Sequence, residues 1–280
     1  MKILIFGITG LIGNALKKYL ENYSDLTIYG TTRNLEILKS ESPNYIYLNC
    51  FDSGLNKNLD NIMKKIEPDF VINSLGLTKH IEHITNDQMN VTNSQFPHLL
   101  KDIVNNYNVK ILHLSTDCVF SGSHGNYYEN SYCDAYDNYG ISKSKGEIND
   151  NFNLTIRVST IGHELNTCNG LLEWFLSQKN QCHGYSQAFF TGISTYELAS
   201  VIYDYIIDKK NLLSGIYHIS GEKIDKFNLL KKFSKRFNKN IKIIPDERFI
   251  IDRSLNCQKF INKTGYKMKT WDEMLDSNYI

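Results

Sequence analysis

The sequence predicts an α/β fold, a doubly wound parallel sheet with a smaller mixed α/β domain. Three observations predict it. A short apolar run at the N-terminus leads into a glycine-rich turn, apolar strands then alternate with amphipathic helices, and the pattern changes beyond about residue 160. We therefore expect two domains, over residues 1–160 and 161–280, with some later segments returning to the first.

The composition excludes several classes of protein. The 280 residues are 41% hydrophobic and 22% charged, with a net charge of +1, so neither a nucleic acid nor a membrane is an expected partner. Six scattered cysteines without a C-x-x-C pair are typical of reduced thiols, so we expect a cytoplasmic protein. No apolar run is long enough for a signal peptide or a membrane span. His80 and His83 have no further ligands nearby, so no metal site is expected.

The first thirteen residues carry the most informative motif. Residues 3–6 form an apolar run typical of a buried parallel strand, and an amphipathic stretch follows over 11–20. Between them stand Gly7, Gly10 and Gly13, which permit a tight turn, the approach of a pyrophosphate, and close packing of the helix. The helix N-terminus then favours an anion. The first domain is therefore predicted to be Rossmann-like and to bind a dinucleotide.

The end of the second predicted strand, over 26–29, bears on the choice of dinucleotide. It continues to Thr32 and Arg33 without an acidic residue, whereas proteins of this fold that prefer NAD have an acid there to accept the ribose 2′-OH. Arg33 can instead bind a 2′-phosphate through charge-assisted hydrogen bonds. We therefore predict NADPH as the cofactor, with NADH as the alternative.

The remaining elements of the first domain alternate regularly. Strands are predicted over 45–48, 69–73, 110–114 and 154–158, and helices over 55–66, over 90–107 with an interruption near Pro97, and from Tyr139. The loop after residue 73 leaves the carboxyl end of a strand, where ligands bind in such sheets. Ser74 and Gly76 are expected to approach the cofactor there, and Thr78, Lys79 and His80 to face cofactor or substrate.

Beyond residue 162 shorter elements predict the smaller domain. Helices are predicted over 170–177, 198–207 and 227–237, and strands over 215–220 and 241–244. Ser194 and Glu197 fit a capping box ahead of the second of these helices. The basic face of the helix over 227–237 is interpreted as a solvated surface.

Thr116, Tyr139 and Lys143 form the second informative constellation. Tyr139 and Lys143 are four residues apart and therefore project from one helix face. A nearby ammonium lowers the pKa of a tyrosine from about 10 towards the range useful for acid–base catalysis. A hydroxyl from Thr116 can orient a substrate oxygen. These residue types match the needs of carbonyl reduction.

The same segments carry a resemblance to a known family. Residues 115–122 (Ser-Thr-Asp-Cys-Val-Phe-Ser-Gly) are similar to the S-T-D-x-V-F-x-G segment of dTDP-4-dehydrorhamnose reductases, which are extended short-chain dehydrogenases/reductases. Residues 139–147 (Tyr-Gly-Ile-Ser-Lys-Ser-Lys-Gly-Glu) resemble their catalytic helix, and 253–260 their R-x-x-N/D-x-x-x-F segment. The resemblance extends from Met1 to about Phe260. Cys118 departs from it, because these reductases usually have tyrosine there.

The resemblance implies reduction of the 4-keto group of a nucleotide-linked 6-deoxyhexose. Tyr139 would protonate the oxygen, Lys143 would tune Tyr139 and hold the cofactor ribose, and Thr116 would orient the ketone. A homodimer is compatible with the family. The implied cofactor contacts are Gly7, Thr9, Gly10, Leu11, Ile12, Gly13, Thr32, Arg33, Asp52, Ser74, Gly76, Asn90, Tyr139 and Lys143. The implied substrate contacts are Thr78, Asp117, Val119, Phe120 and Arg253.

Two alternatives remain open from the sequence. One is a sugar-nucleotide epimerase or 4,6-dehydratase on the same fold, although such dehydratases carry Asp-Glu where this chain has Asp117 and Cys118. The other is a non-catalytic regulatory subunit that resembles the β subunit of methionine adenosyltransferase. The presence of Thr116, Tyr139 and Lys143 favours catalysis over this second alternative.

Overall fold

The computed structural model describes residues 1–38, 42–79, 81, 83–165, 167–209 and 213–276. Contacts divide the chain into two compact units. The first comprises Met1–Ser115, Tyr136–Ile156 and Leu212–Ile216, and the second comprises Thr116–Ala135, Arg157–Asn211 and Tyr217–Ile280. Packing alone defines these units, so the assignment of residues 1–160 to the cofactor and 161–280 to the substrate remains a prediction.

A seven-stranded sheet carries the first unit. The strands of the chain are β1 (Lys2–Phe6), β2 (Thr27–Thr32), β3 (Tyr45–Tyr47), β4 (Phe70–Asn73), β5 (Lys110–Ser115), β6 (Leu154–Arg157), β7 (Thr160–Ile161), β8 (Gln181–Tyr185), β9 (Ala188–Phe190), β10 (Ile193–Ser194), β11 (Gly215–His218), β12 (Ile224–Asp225), β13 (Lys242–Asp246) and β14 (Ile251–Asp252). The order across the sheet is β11-β6-β5-β4-β1-β2-β3, and the pairings from β3 to β5 are parallel. The order reverses direction between β1 and β4, which is the switch point of a doubly wound fold. The predicted fold class is confirmed.

Helices connect the strands of this sheet and of the second unit. They are α1 (Leu11–Leu20), α2 (Leu55–Ile66), α3 (Asn86–Asn90), α4 (Phe96–Asn105), α5 (Asn138–Lys145), α6 (Leu171–Ser177), α7 (Thr195–Val201), α8 (Lys226–Arg236), α9 (Gln258–Thr264) and α10 (Trp271–Asp276). Among the described residues, no helix is both long enough and apolar enough to cross a membrane.

The helix predicted over residues 90–107 differs from the prediction at its start and at its interruption. It begins at Asn86, because the Thr85 side chain accepts a hydrogen bond from the Gln88 N–H while Gln88 bonds back to Thr85. The interruption is a π-helical segment, Val91–Gln95, between α3 and α4. Pro97 lies in the first turn of α4. A wide π-helical turn therefore replaces the expected break at the proline.

The core of the first unit holds the central strands in place, so that the carboxyl ends that precede the sequence motifs are aligned. Apolar side chains of β1, β4 and β5 pack against α2 and α4; the fully buried ones include Leu4, Phe6, Val71, Ile111, Leu59, Met63, Leu100 and Val104. In the strand register Phe6 pairs with Asn73, and Asn73 pairs with His113. The carboxyl ends of the three strands therefore lie side by side.

The second unit contains small sheets around an aromatic core. Its sheets are β12-β9-β14, β13-β8 and β10-β7, and Trp271 of α10 is fully buried beside Phe190. Ser194 caps α7 as predicted, by accepting from the Glu197 N–H. The expected return bond of the capping box is absent among the described contacts of Glu197. Its carboxylate accepts instead from Lys269, which neutralises its charge, and from the Tyr266 hydroxyl.

Candidate active site

The glycine turn after β1 has the geometry that the motif predicts. Gly7 has a φ of +83°, which L side chains rarely adopt. A Cβ at Gly13 would lie 2.1 Å from the Gly7 carbonyl oxygen, so only glycine allows α1 to start this close to the turn. Gly10 precedes α1 without a side-chain cap, which leaves N–H groups of the first turn for a ligand. Leu11 and Ile12 form that turn, half-buried. The cradle fits the pyrophosphate of a dinucleotide.

Thr9 in the glycine turn is joined to the end of β2. Its Oγ1 lies 3.0 Å from the Oγ1 of Thr32, and Arg33 follows with an exposed side chain. Arg33 and Asp52 both lie close enough to Cys50 to act on its thiol. Burial raises the pKa of Cys50 to about 11, while Arg33 lowers it and Asp52 raises it. The structure thus brings Arg33 and Asp52, two of the predicted cofactor contacts, to one region.

Asn93, which sequence analysis missed, holds the loop after β4. Its Oδ1 accepts from the Leu77 N–H at 2.8 Å, and its Nδ2 donates to the Leu77 carbonyl at 2.9 Å. Ser74 donates to the carbonyl of Phe6 at 2.7 Å, so the other end of the loop is tied to β1. Gly76 is exposed between these anchors, and Thr78 is half-buried. His80 lies outside the described residues.

The same π-helical segment clamps α5, the helix that carries Tyr139 and Lys143. Asn93 Nδ2 donates to Ser142 Oγ at 3.0 Å, and Ser94 Oγ donates to the Ser142 carbonyl at 2.8 Å. A Cβ at Gly146 would lie 1.8 Å from the Asn93 carbonyl oxygen, so the backbones touch there. One segment therefore positions both the loop after β4 and the predicted catalytic helix. Asn90, the predicted contact, lies directly before it, and its role remains a prediction.

Lys143 is a buried cation at the carboxyl end of β5. Its side chain is 4% exposed, and Nζ donates to the carbonyl oxygen of Leu114 at 2.7 Å. Burial lowers the pKa of Lys143 to about 8, against the opposing effect of Glu147. A Cβ at Gly76 would lie 3.9 Å from Nζ, so the loop after β4 reaches Lys143. Tyr139 precedes it by one turn and is half-buried.

His113 lies in the strand beside this cation and is fully buried. Its Nδ1 is 3.1 Å from Asn73 Nδ2, whereas Nε2 has no hydrogen-bond partner among the described residues. Burial, and then the charge of Lys143, hold the pKa of His113 well below its usual value. The neutral imidazole adds no second positive charge beneath the lysine.

The other predicted site residues belong to the second unit. Thr116 Oγ1 accepts from the Cys118 N–H and donates to Asp117 Oδ1, both at 3.1 Å. Val119 and Phe120 are fully buried in a cluster with Tyr127, and their role as substrate contacts remains a prediction.

Arg253 is bound to the same segment of the second unit. Its Nε donates to the Phe120 carbonyl oxygen at 2.9 Å, and its Nη1 lies 3.3 Å from Cys118 Sγ. Lys226, at the start of α8, lies close enough to Asp117, Cys118 and Arg253 for their charges to act on it. Sequence analysis had assigned the basic residues of this helix region to a solvated face and missed Lys226.

The sheet order and the glycine cradle together define a Rossmann-like α/β protein. The chain belongs to the family described as the RmlD substrate binding domain, whose model matches residues 1–278. The resemblance to the dTDP-4-dehydrorhamnose reductases is thereby confirmed at the level of the family. A comparison with curated protein sequences gave no match.

Solved structures with the same fold span nearly the whole chain. A hypothetical dTDP-4-dehydrorhamnose reductase from Sulfolobus tokodaii is 24% identical, with a TM-score of 0.79 over 99% of this chain and 98% of that one. A dTDP-4-dehydrorhamnose reductase from Bacillus anthracis, in complex with NADP, is 19% identical, with a TM-score of 0.79 over 98% and 97%. A UDP-glucuronic acid 4-epimerase from Bacillus cereus, in complex with NAD, is 17% identical, with a TM-score of 0.76 over 100% and 97%. At these identities the likeness shows the fold.

Proposed function

We propose that this protein catalyses the NADPH-dependent reduction of the 4-keto group of a nucleotide-linked 6-deoxyhexose, with Tyr139 as the proton donor. The observation that carries the proposal is the buried Lys143, fixed to Leu114 one helical turn from Tyr139. Burying a cation costs free energy of folding. Ionisable groups with perturbed pKa values cluster at functional sites. Family membership supports the same reading.

The cofactor would be held by the glycine cradle and by the end of β2. The uncapped first turn of α1 would bind the pyrophosphate, and Arg33, exposed and with no acidic residue beside it in sequence, would bind a 2′-phosphate. The structural neighbour from Bacillus anthracis was crystallised with NADP, which supports this choice. When bound, the reduced nicotinamide supplies the hydride.

The chain's own residues would supply positioning and the proton. The ammonium of Lys143 would favour the phenolate form of Tyr139 and thereby make its hydroxyl a better acid near neutral pH. Tyr139 Oη would deliver its proton to the carbonyl oxygen as negative charge develops there. Thr116 Oγ1 donates its single hydrogen to Asp117 Oδ1 in the structure and accepts from the Cys118 N–H, so it would redirect that hydrogen to the substrate oxygen to hold it in place.

An epimerase or dehydratase is the main rival, because such enzymes share this fold. The chain has Cys118 rather than a second acidic residue after Asp117. A thiol in contact with the guanidinium of Arg253 is a poor replacement for a carboxylic acid that must donate a proton to a leaving hydroxyl. This contact favours reduction over dehydration.

The proposal is tested by following the absorbance of NADPH and NADH at 340 nm with dTDP-, UDP- and GDP-linked 4-keto-6-deoxyhexoses. Oxidation that is faster with NADPH, with one 6-deoxyhexose formed per cofactor oxidised, is the expected result. In a parallel assay with the corresponding nucleotide-linked hexoses, product formed without net cofactor oxidation would instead identify an epimerase or dehydratase. Cofactor binding without any turnover, together with tight binding to a protein partner, would favour the regulatory-subunit alternative.

A further inference from the structure

The carboxylate of Asp137 joins the predicted catalytic helix to the loop after β4. Asp137 is the N-cap of α5, and its Oδ1 accepts from the Gly140 N–H at 2.7 Å. Its Oδ2 accepts from Lys79 Nζ at 3.3 Å, which is an ion pair between residues 58 positions apart in the chain. One side chain therefore both caps the helix and ties a distant loop to its first turn.

The ion pair complements the buried hydrogen bonds of Asn93. Those bonds hold the N–H and the carbonyl of Leu77, and the ion pair holds Lys79, two residues further along the loop. The loop is therefore fastened on both sides of Thr78, a half-buried residue that was predicted to contact the substrate. Two anchors this close together restrict where the Thr78 side chain can lie.

The first turn of α5 is fastened in the same way on both sides of Tyr139. Asp137 lies two residues before the tyrosine, and Ser142, which the π-helical segment holds, lies three residues after it. Asn138 adds a further contact, since its Nδ2 donates at 2.7 Å to Oδ1 of Asn86, the first residue of α3. The loop and the predicted proton donor are therefore held in one fixed arrangement.

We propose that Lys79 and Asp137 are positioning residues, whose ion pair keeps Tyr139 aligned with the substrate and cofactor that the loop contacts. The ion pair is not needed to cap α5, because Oδ1 of Asp137 already does so. It also adds little to stability, because both side chains are partly exposed to solvent. A small displacement of a reacting group slows the chemical step, so the ion pair acts there. This role rests on the proposed function.

The two functions of the Asp137 carboxylate can be separated by substitution. Asp137→Asn keeps an oxygen that can cap Gly140 and loses the charge, whereas Lys79→Met removes the ion pair and leaves the cap unchanged. Lys79→Arg retains the charge and serves as the conservative variant. Lys64→Met is the matched control, because Lys64 forms an exposed ion pair with Asp60 on α2. Circular dichroism and thermal unfolding first establish that every variant is folded.

The test measures kcat and KM at saturating NADPH, with the keto-sugar nucleotide that the unmodified protein prefers. At low salt we expect Lys79→Met and Asp137→Asn each to lower kcat about two- to fivefold and to leave KM unchanged. The double variant should fall no further, because both substitutions remove the same ion pair. Lys79→Arg and Lys64→Met should keep the kcat of the unmodified protein. Added KCl should abolish the difference between Lys79→Met and the unmodified protein, because salt screens an exposed ion pair.

An unchanged kcat in folded Lys79→Met and Asp137→Asn would overturn the proposal. So would a double variant whose loss of kcat equals the product of the two single losses, because the two residues would then act independently. An equal loss in Lys64→Met would overturn it too, since it would show a general effect of surface charge.

If the unmodified protein reduces no keto-sugar, amide hydrogen exchange decides in place of kcat. In Lys79→Met and Asp137→Asn, exchange in peptides that contain residues 74–79 and 137–142 should become faster, whereas Lys64→Met should leave both unchanged. Faster exchange without any turnover would contradict the proposed function alone, because the attachment of the loop to α5 would still depend on the ion pair. Unchanged exchange in both variants would overturn the role of the ion pair as well.

Discussion

The Nζ atom of Lys143 donates a 2.7 Å hydrogen bond to the carbonyl oxygen of Leu114, two residues before the predicted active-site threonine. This bond fixes a buried cation at the carboxyl end of β5, where it is one helical turn from Tyr139. In the proposed reductase this arrangement would favour function at the expense of stability, because the lysine would act in its charged form in a place where burial disfavours charge.

Lys143→Met should therefore abolish activity without lowering stability at pH 7. The native pKa of about 8 lies below that of the unfolded chain, so the unfolded state binds more protons between pH 8 and about 10.5. In this window the free energy of unfolding of the unmodified protein should rise with pH relative to Lys143→Met, by up to roughly 3 kcal/mol. Urea denaturation from pH 7 to 10 measures this. Lys145→Met, an exposed lysine on the same helix, should show no such difference.

Arg33→Ala should change the cofactor preference. Loss of a charge-assisted contact to a 2′-phosphate should raise the Kd for NADPH about tenfold or more and leave the Kd for NADH within twofold. Quenching of intrinsic fluorescence on titration with each cofactor measures both values. Lys18→Ala, an exposed charge on α1, serves as the control. Equal weakening of the two cofactors would show that Arg33 does not recognise the phosphate.

Asn93→Ala should destabilise the fold and slow the reaction together. It removes the partners of the Leu77 N–H and carbonyl and of Ser142, leaving buried groups unpaired, at a cost of about 2–4 kcal/mol. Urea unfolding and kcat provide the two measurements. Asn58→Ala, at an exposed position on α2, should stay within about 0.5 kcal/mol. Wild-type stability in Asn93→Ala would contradict the clamping role of the π-helical segment.

Gly13→Ala and Gly10→Ala should distinguish two roles of the glycine turn, the close packing of α1 and the approach of the cofactor. A Cβ at position 13 would lie 2.1 Å from a backbone oxygen and must displace α1, whereas at position 10 the nearest atom would be 3.3 Å away. The first variant should therefore lose several degrees of Tm, while the second should lose clearly less Tm but should lose cofactor affinity. Differential scanning fluorimetry with and without NADPH distinguishes the two. Similar Tm losses would argue against this division of roles.

Local periodicity predicted those elements whose buried and exposed positions alternate regularly within a single helix or strand. The helices over 11–20 and 55–66 and the glycine turn follow from apolar spacing and from backbone geometry. Asn93 escaped detection because its partners are Leu77 and Ser142, which are 16 and 49 residues away. No spacing rule connects such positions, since the π-helical turn that aims the side chain leaves no sequence period.

The second unit was harder to predict for the same physical reason. Sequence analysis gave no role to Lys226, which precedes the helix predicted over 227–237, and only the fold brings it near Cys118 and Arg253. Glu197 fitted a capping box by spacing, yet Lys269 from a distant segment takes its carboxylate. Short elements held together by long-range contacts carry little local signal, so their functional residues emerge only from the tertiary structure.

The most direct test of the proposed reductase compares the unmodified protein with Tyr139→Phe. NADPH oxidation is followed with the keto-sugar nucleotide that the unmodified protein prefers, after both proteins are shown to bind NADPH equally. The account predicts a fall in kcat of about 10²–10⁴-fold, because the phenyl ring has no proton to give. Turnover by Tyr139→Phe at the unmodified rate would contradict the assignment of Tyr139 as the proton donor.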